Sequence, residues 1–468
     1  MVLLNNMKSL MKYCKLCSMR GIGQYHTLSR LFQPLNVKPK DATVTKDQAI
    51  SISQKLLMDT GVISLRSNGM FALLPLGQRV MTKLIKLMDT EMSCIGAQRL
   101  SLPLLTSGNL WKKTGRWEST GQELLTLLDR HGKEYVLSPT HEEAVTNLMS
   151  EMYPFSFRQL PLRLYQIGSK FRDEMKPRFG LIRSREFVMK DLYTFDGSEE
   201  AARDTYEEIG GAYNRIFQRL GIPYLREPSS SGEESEVPSP RKMVYDVYRK
   251  ASAPMRRLHL QGDDEDDVNE PQTSSVSTWL ASPVTMQRKS LPGKPPLNKG
   301  TRVGHTFLLG TKYSKTLNAL YQNESGKPEV LQMGCYGIGL SRVLAASVEV
   351  LARAGNVKWP WEIVPFKICL IGPKKGSKEG GAASWVGHLA EVLSSTSALQ
   401  DEVVVDDRDR LTIGKRVMEA KKSGYPFIVV VGKRACEMVP MFEVLDCVND
   451  ESQFLSHKML MSWASQLS

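Results

Sequence analysis

A dense group of cationic side chains lies within Phe171–Phe195, whose sequence is FRDEMKPRFGLIRSREFVMKDLYTF. Its arginines are Arg172, Arg178, Arg183 and Arg185. Guanidinium groups bind planar oxyanions through paired hydrogen bonds, so arginines on a rigid support suit carboxylate and phosphate ligands. A solvated basic surface is the alternative, and this stretch taken alone favours that alternative.

Two extended segments are expected to hold these arginines in place. Residues 161–172 and 183–195 are rich in aromatic and β-branched residues, and a loop with Pro177 and Gly180 joins them. The pattern predicts an antiparallel hairpin with a long loop. Such a hairpin would fix the spacing of the arginines.

A hydroxyl and a carboxylate stand two residues apart in Pro139–Glu143. In an extended loop Thr140 and Glu142 would point the same way and could hold a ligand ammonium. Thr140 also stands three residues before Glu143, which fits a helix capping box. Both arrangements are compatible, with Glu142 facing the ligand. The histidines nearby, His131 and His141, are interpreted as loop or surface residues and not as bases.

A glycine-rich segment, GCYGIGLSR, occupies residues 334–342. Gly337 and Gly339 would let the backbone approach a ligand, and Arg342 begins the next predicted helix, where phosphates are favoured. The spacing does not fit a dinucleotide or P-loop motif. Because a glycine turn into a helix is common, this segment is weak support for a ligand site by itself.

A helix followed by a strand precedes these motifs. Apolar residues in Gly77–Glu91 share one helical face, and Leu100, Leu102 and Leu104 alternate with other residues as in a strand. Pro103 lacks a backbone donor, so it belongs at a sheet edge or an interface. An ordinary helix–strand core unit is the alternative.

The overall composition sets outer limits. The chain has 468 residues, enough for two or three domains, and its net charge of +12 suits a polyanionic partner such as RNA. A basic organellar protein without nucleic acid is the alternative. Cys14 and Cys17 form a lone CxxC pair, which disfavours structural zinc. No apolar run approaches the ~20 residues of a membrane span.

The first forty residues differ from the rest of the chain. They carry seven lysines and arginines and no acid before Asp41, with apolar and basic residues on separate helical faces. This pattern predicts a mitochondrial transit peptide over residues 1–40, with residues 31–45 as its cleaved or unstructured end. A basic arm that touches tRNA is the alternative.

These motifs together resemble a class II aminoacyl-tRNA synthetase of the prolyl type, in its mitochondrial and bacterial-like form. Arg172 and Glu174, then Arg183 and Phe187, match the family's second signature, and residues 334–342 match the third. PTHEE at 139–143, TGRWE at 114–118 and VGHTFLLGTKYS at 303–314 match the prolyl members. The resemblance covers roughly residues 41–224 and 301–435. It implies an α+β fold, with an antiparallel-sheet catalytic domain over residues 41–358.

The resemblance also implies roles in ATP binding. Arg172 would bridge the amino-acid carboxylate and the α-phosphate, Glu174 would face the adenine amino group, and Arg183 the distal phosphates. Phe187 would stack on adenine, and Arg342 would hold the γ-phosphate. Gly337 and Gly339 would line the same site. Arg172 and Arg342 would be the catalytic residues, because this chemistry depends on positioning and on stabilising negative charge.

The amino-acid side follows in the same way. By resemblance Thr140 and Glu142 bind the proline ammonium, and Arg172 its carboxylate. His305 would form a wall of the proline pocket, although a core histidine of a strand is nearly as well supported. Pro103 would lie in a homodimer interface.

The implied activity is that of a ligase. It would activate proline with ATP to prolyl-adenylate and transfer the prolyl group to mitochondrial tRNA(Pro). Mg²⁺ would accompany ATP, with no protein ligands identified. The implied location is the mitochondrial matrix.

After Trp359 predicted strands and helices alternate, which indicates a small, mainly parallel α/β unit. Its position and the DDR and GYPFIVVVGKR segments resemble the family's anticodon-binding domain, over residues 359–468. Arg408, Lys415 and Arg416 are the predicted phosphate contacts. Bases of a single-stranded loop would be read by stacking and edge hydrogen bonds.

The resemblance fails over residues 225–300. Their Ser, Pro and charge-rich composition predicts disorder, and the family's Ser/Thr-His-Glu-Phe segment has no counterpart. The sheet would then lose one or two strands, and no editing domain fits. A divergent loop, a damaged enzyme and a non-native middle segment all remain open, the last being favoured. The rival function is therefore a catalytically impaired, synthetase-like RNA-binding protein.

Overall fold

The computed structural model describes residues 25–34, 50–228, 242–247 and 300–467. The strands are β1 His26–Thr27, β2 Ile63–Ser67, β3 Met70–Leu73, β4 Gln98–Arg99, β5 Leu105–Ser107, β6 Leu125–Leu128, β7 Glu134–Leu137, β8 Leu162–Phe171, β9 Glu186–Asp196, β10 Tyr224–Pro228, β11 Lys242–Val247, β12 Thr301–Gly310, β13 Leu320–Gln322, β14 Pro328–Val330, β15 Gln332–Gly339, β16 Ile368–Ile371, β17 Val403–Asp406, β18 Phe427–Val430, β19 Met441–Asp446 and β20 Glu451–Ser456. The helices are α1 Ile52–Asp59, α2 Pro75–Cys94, α3 Gly108–Lys113, α4 Arg116–Thr120, α5 Glu142–Glu151, α6 Glu199–Arg219, α7 Lys312–Thr316, α8 Leu340–Leu351, α9 Ser384–Ser395, α10 Ile413–Ser423 and α11 His457–Ser465.

The central element is a seven-stranded sheet in the order β10-β11-β12-β15-β9-β8-β4. Its pairs are antiparallel except for β4 with β8. The predicted hairpin is present as β8 and β9, which pair from Leu162 with Phe195 to Phe171 with Glu186. The arginine-bearing loop joins their ends, as the sequence predicted.

One face of this sheet is covered by helices. The long helix α6 begins at Ser198, whose side chain accepts a hydrogen bond from the Ala201 amide. Its buried residues recur at helical spacing and form one apolar stripe, namely Ala202, Tyr206, Ile209, Tyr213, Ile216 and Phe217. They pack with residues of α2, α8 and the inner strands in one core. Each large side chain so buried contributes about 1.5–3 kcal/mol. Part of the opposite face packs against α5 and α7 in a second core, and the part around Asp191, His305 and Gly337 forms the candidate site.

The prediction of disorder over residues 225–300 is wrong at two places. Strand β10 pairs with β11, and β11 pairs with β12, so both strands extend the sheet that was expected to lose them. Val244, Tyr245 and Val247 are buried, and Tyr245 stacks on Phe217 with ring centroids 5.4 Å apart. A short apolar strand inside a polar stretch escapes a composition average. The remainder of the segment lies outside the described residues.

The C-terminal unit is a six-stranded sheet in the order β1-β17-β16-β18-β19-β20. The four neighbouring strands β1, β17, β16 and β18 pair in parallel, and β19 and β20 add an antiparallel edge. The α/β prediction is therefore confirmed for the centre of this unit. The two final strands were not predicted.

Residues 25–34, within the segment predicted as a transit peptide and its unstructured end, are folded. Strand β1 pairs in parallel with β17, so the segment is part of the C-terminal sheet. The Ser29 amide donates to Asp407 over 2.8 Å, and Gln33 Nε2 donates to the Thr60 carbonyl over 2.8 Å. The segment thus contacts both units and is not an unstructured end. Residues 1–24 and 35–49 lie outside the described residues.

Among the described residues no helix has the length and apolarity needed to cross a membrane. The cysteines in the same part of the chain, from Cys94 to Cys447, are free thiols.

Candidate active site

The open face of the large sheet gathers the predicted site residues. Gly337 on β15 lies opposite Asp191 on β9 and opposite His305 on β12, so the three residues share a face. A Cβ at Gly337 would lie 2.3 Å from Met189 Cε and 2.4 Å from His305 Cε1, so a larger residue would displace both side chains.

Gly339 is under no such restriction. A Cβ there would lie 3.5 Å from Arg342 Cδ, an ordinary contact, and the residue keeps a negative φ. Of the two glycines, Gly337 is therefore the one that the packing requires.

Two guanidinium groups converge on one aromatic ring. The Arg172 and Arg342 Cζ atoms lie 5.3 Å and 5.8 Å from the centroid of Phe187, which is 5% exposed. Burial, followed by the nearby charge of Arg172, lowers the pKa of Arg342 to about 10. Within the described part of the chain neither guanidinium forms an ion pair with a carboxylate. Two converging cations that form no ion pair with a carboxylate in the described chain favour an anion there, although the Glu174 charge also acts on Arg342.

The loop between β8 and β9 carries its own ion pairs. Arg183 Nε lies 2.8 Å from Glu174 Oε2, and Arg185 Nε donates to the Glu174 carbonyl over 3.0 Å. Arg183 is 45% exposed, whereas Glu174 is mostly buried. Arg183 must leave or share Glu174 in order to reach a distal phosphate.

The Glu142 carboxylate is buried beside β15. Its Oε2 accepts hydrogen bonds from Thr140 Oγ1 over 2.6 Å and from Arg116 over 3.0 Å, and its Oε1 accepts from Cys335 Sγ over 3.1 Å. Burial alone would raise the pKa of Glu142, but the Arg116 charge and these hydrogen bonds outweigh it and lower the pKa. Glu142 is therefore a charged carboxylate at neutral pH.

The predicted capping box is not formed. Helix α5 has His141 at its N-cap position without a side-chain cap, and the Thr140 hydroxyl is bound to Glu142 instead. The Glu143 carboxylate accepts from Arg116 over 3.0 Å and from Thr114 Oγ1 over 3.2 Å. The helix starts too late for Thr140 to reach its first amides.

Arg116 is a site residue that reasoning from single residues missed. Its guanidinium is shared between Glu142 and Glu143 and lies 4.8 Å above the Trp111 ring. The signal was present in TGRWE, which was used only as a family match. Burial raises the pKa of Glu143 to about 7, so at neutral pH Glu142 is the fully charged member of the two carboxylates that share Arg116.

His305 lies close to this carboxylate. Its Nε2 is 3.8 Å from Cys335 Sγ, and its ring stacks on Phe307 at 4.4 Å. Burial lowers its pKa to about 4, so the ring is neutral at physiological pH. It is partly buried on the site face of the sheet and thus adjoins the predicted amino-acid site.

His141 lies in the loop before α5, in keeping with its interpretation as a loop residue, but it is not at the surface. Its side chain is 1% exposed and lies between Pro103 and Lys170. A polar sequence context concealed a buried position. His131, by contrast, is exposed in the turn between β6 and β7, as expected.

The predicted RNA contacts of the C-terminal unit differ in exposure. Arg416 is 1% exposed and donates to the carbonyls of Asp406 over 3.0 Å and Gly372 over 2.6 Å, which argues against a phosphate contact. Arg408 is paired with Asp406 at 2.7 Å and with Glu419 at 2.8 Å. Lys415 is exposed. Arg416 lies on the buried side of α10 and binds carbonyls at the ends of β17 and β16. The spacing of basic residues in the sequence did not show which side of the helix is buried.

Comparison with known proteins follows the same division. Residues 124–351 match the family model "tRNA synthetase class II core domain (G, H, P, S and T)". Residues 379–447 match the model "Anticodon binding domain". The first model covers the large sheet except β4, and the second covers the middle of the C-terminal unit.

Curated relatives are similar over most of the chain. One from Rattus norvegicus, named probable proline–tRNA ligase, mitochondrial, is 41% identical over 98% of this chain and 94% of its own length. One of the same name from Schizosaccharomyces pombe is 38% identical over 83% and 88%. The prolyl-tRNA synthetase of Giardia lamblia, solved in complex with prolyl-adenylate, matches with a TM-score of 0.70 at 17% identity, over 89% of this chain and 75% of that chain. This last likeness concerns the fold.

Proposed function

The chain belongs to the prolyl-tRNA synthetase family, and from that membership we propose how its residues divide the reaction. The enzyme activates proline with ATP and charges tRNA. A carboxylate oxygen of proline attacks the α-phosphorus, the bond to the β-phosphate breaks and pyrophosphate leaves. The tRNA 3′ hydroxyl then attacks the carbonyl of the adenylate and AMP leaves.

Arg172 and Arg342 bind the triphosphate in this proposal. Their convergence on Phe187, without carboxylate partners in the described chain, is the observation that supports it most strongly. Arg172 also neutralises the attacking carboxylate, so that two anions can meet. Adenine stacks at Phe187, Glu174 accepts from its amino group, and Arg183 moves to the distal phosphates. Gly337 keeps the sheet floor flat beneath the ligand.

Thr140 and Glu142 bind the proline ammonium. The Glu142 carboxylate is charged, hydrogen-bonded to Thr140 and only partly neutralised by Arg116, which it shares with Glu143, so a second cation is favoured at Glu142. The neutral His305 ring forms a wall of the proline pocket beside Thr140 and Glu142.

ATP enters as its Mg²⁺ complex, which is the substrate. Mg²⁺ usually keeps several waters and binds one or two carboxylates besides the phosphates. The arginines then act on the phosphate oxygens that the ion leaves free.

A homodimer is proposed from the surface around Pro103. Leu104 is 42% exposed and Leu105 43% exposed, both directly after Pro103 in the chain. Adjacent exposed leucines on a monomer indicate a contact surface. Sedimentation of the wild-type protein should give twice the monomer mass. Sedimentation of Leu105→Asp should give the mass of a monomer.

The partner nucleic acid is proposed to be mitochondrial tRNA(Pro). We assign residues 41–358 to catalysis and 359–468 to anticodon binding. Lys415, exposed on α10, contacts phosphate, and Arg408 does so only if it leaves its acidic partners.

The relatives named mitochondrial support a mitochondrial location, which we refine to the matrix. Since residues 25–34 belong to the folded protein, a targeting leader must end before Tyr25. Sequencing the N-terminus of protein purified from mitochondria tests this. A mature chain that starts after Tyr25 would contradict it.

Proline-dependent ATP–pyrophosphate exchange tests the proposed function. The wild-type chain should give a signal that requires proline, and Arg172→Ala should abolish it while tRNA binding persists. Arg203→Ala is a matched control, because Arg203 pairs only with Glu199 on the outside of α6 among the described residues. Exchange absent from the wild type would favour the rival RNA-binding function. Equal loss of exchange and tRNA binding in Arg172→Ala would contradict the role given to it.

A further inference from the structure

A buried network of polar groups lies next to the loop that carries Thr140 and Glu142. His141 Nε2 lies 3.0 Å from the Pro103 carbonyl, and His141 Nδ1 lies 2.6 Å from Lys170 Nζ. Lys170 Nζ forms an ion pair with Asp191 Oδ2 at 2.5 Å. His141, Lys170 and Asp191 are each no more than 2% exposed.

The chemistry of each group determines which members of this network donate hydrogen bonds and which accept them. An ammonium only donates, so His141 Nδ1 accepts from Lys170. The proton of the neutral ring is then on Nε2 and donates to the Pro103 carbonyl, which only accepts. Burial, followed by the Lys170 charge, lowers the pKa of His141, in keeping with a neutral ring. The His141 ring thus has one tautomer that satisfies both Lys170 and Pro103.

The same residue is also held by its backbone. The His141 amide donates to the Tyr193 hydroxyl over 2.9 Å, and that hydroxyl lies 3.2 Å from Thr140 Oγ1. Because the Thr140 hydroxyl donates to Glu142, the phenol proton of Tyr193 is directed to Thr140. The two candidate ammonium ligands therefore flank a residue anchored through both its backbone and its ring.

We propose that His141 is a positioning residue, which fixes Thr140 and Glu142 for the amino-acid ammonium by tying their loop to Lys170 and Asp191 on the sheet and to Pro103 at the surface. This inference rests on the proposed proline site. His141 does not touch proline or ATP and takes no proton in the reaction. Its effect falls on the amino acid, because the ATP-binding side chains are held by β8, β9 and α8 without it.

The test compares KM values for proline and ATP in the exchange reaction. His141→Phe keeps the ring volume and loses both hydrogen bonds, so KM for proline should rise about tenfold or more, with KM for ATP nearly unchanged. His141→Gln can both accept from Lys170 and donate to Pro103, and it should recover most of the loss. A structural role alone would raise both KM values together with a lower melting temperature, and recovery by glutamine would be absent.

If His141→Phe does not fold, Lys170→Met provides the same test, because it removes the hydrogen bond between Lys170 and His141. The reference is Glu142→Gln, which should raise KM for proline if the proposed site is correct. If Glu142→Gln has no effect, the proline site itself is wrong. If Glu142→Gln acts as expected while His141→Phe leaves both KM values unchanged, only the positioning role is overturned.

Discussion

At the scale of single residues the candidate site is divided by charge. Arg172 and Arg342 supply positive charge without carboxylate partners in the described structure, whereas Glu142 and Glu143 share one guanidinium. A triphosphate fits the first group and an ammonium the second. In the proposed function the carboxylate of the amino acid would lie between these two groups, next to the phosphorus that it attacks.

Arg342→Gln should weaken ATP binding. A hydrogen bond to a charged group contributes about 1.5–3 kcal/mol, so KM for ATP should rise about 10- to 100-fold. KM for proline should change little, since Glu142 is untouched. Exchange kinetics at varied ATP measure this effect. Arg203→Gln serves as the control, and an equal rise in both KM values would contradict the division.

Lys190 offers a stability test away from the site. It is buried under the sheet and donates to Tyr213 and to the Tyr336 carbonyl, and burial lowers its pKa to about 7. The unfolded chain keeps its lysine pKa near 10.5 and so binds more protons between these values. The free energy of unfolding should therefore rise with pH from about 7 to about 10.

Lys190→Met should flatten that dependence. Urea unfolding at several pH values within the window gives the slope for each protein, and other groups cancel in the difference. An unchanged difference between wild type and variant across the window would mean that the lysine is not neutralised by folding.

At the scale of elements, strands β10 and β11 complete one edge of the large sheet. Strand β11 joins β10 to the rest of the sheet, and Tyr245 is its most buried side chain. The Tyr245 hydroxyl is buried without a hydrogen-bond partner in the described structure. The aromatic ring, and not the hydroxyl, must then stabilise this edge.

A pair of substitutions at Tyr245 separates ring from hydroxyl. Tyr245→Ala should destabilise the fold by about 3 kcal/mol or more, because it removes a ring packed on Phe217. Tyr245→Phe should be neutral or stabilising, since it removes an unsatisfied polar group. Chemical denaturation measures both. A harmless alanine variant would mean that β11 is not part of the cooperative fold.

The N-terminal strand supports a second element-scale prediction. Removing residues 1–34 deletes β1 and the contacts of Ser29 and Gln33, whereas removing residues 1–24 keeps them. The longer truncation should melt several degrees lower than the shorter one. Equal melting temperatures would show that β1 does not stabilise the protein.

Sequence reasoning succeeded where the periodicity was long or the motif extended. The β8–β9 hairpin, the helix after Pro75 and the positions of Arg172, Phe187 and Arg342 followed from it. It failed at β11 because a composition window averages a six-residue strand with its polar neighbours. It misjudged His141 and Arg416 because both are polar residues whose burial depends on partners distant in sequence.

At the scale of the whole molecule the two units are joined by ion pairs and by the N-terminal segment. Lys83 pairs with Glu402 at 2.6 Å and Arg79 with Asp401 at 2.8 Å, both between α2 and the C-terminal unit. Gln33 adds hydrogen bonds across the same junction. This junction fixes the distance between the catalytic face and the surface proposed for the anticodon.

The most direct measurement is calorimetric binding of ATP, proline and a non-hydrolysable prolyl-adenylate analogue. We expect the analogue to bind more tightly than either substrate, because it occupies both charged groups of the site. Arg342→Gln should weaken ATP much more than proline, Glu142→Gln should weaken proline and the analogue but not ATP, and Arg172→Gln should weaken all three. If neither Arg172→Gln nor Glu142→Gln changes the affinity for the analogue, the two charged groups do not form one active site.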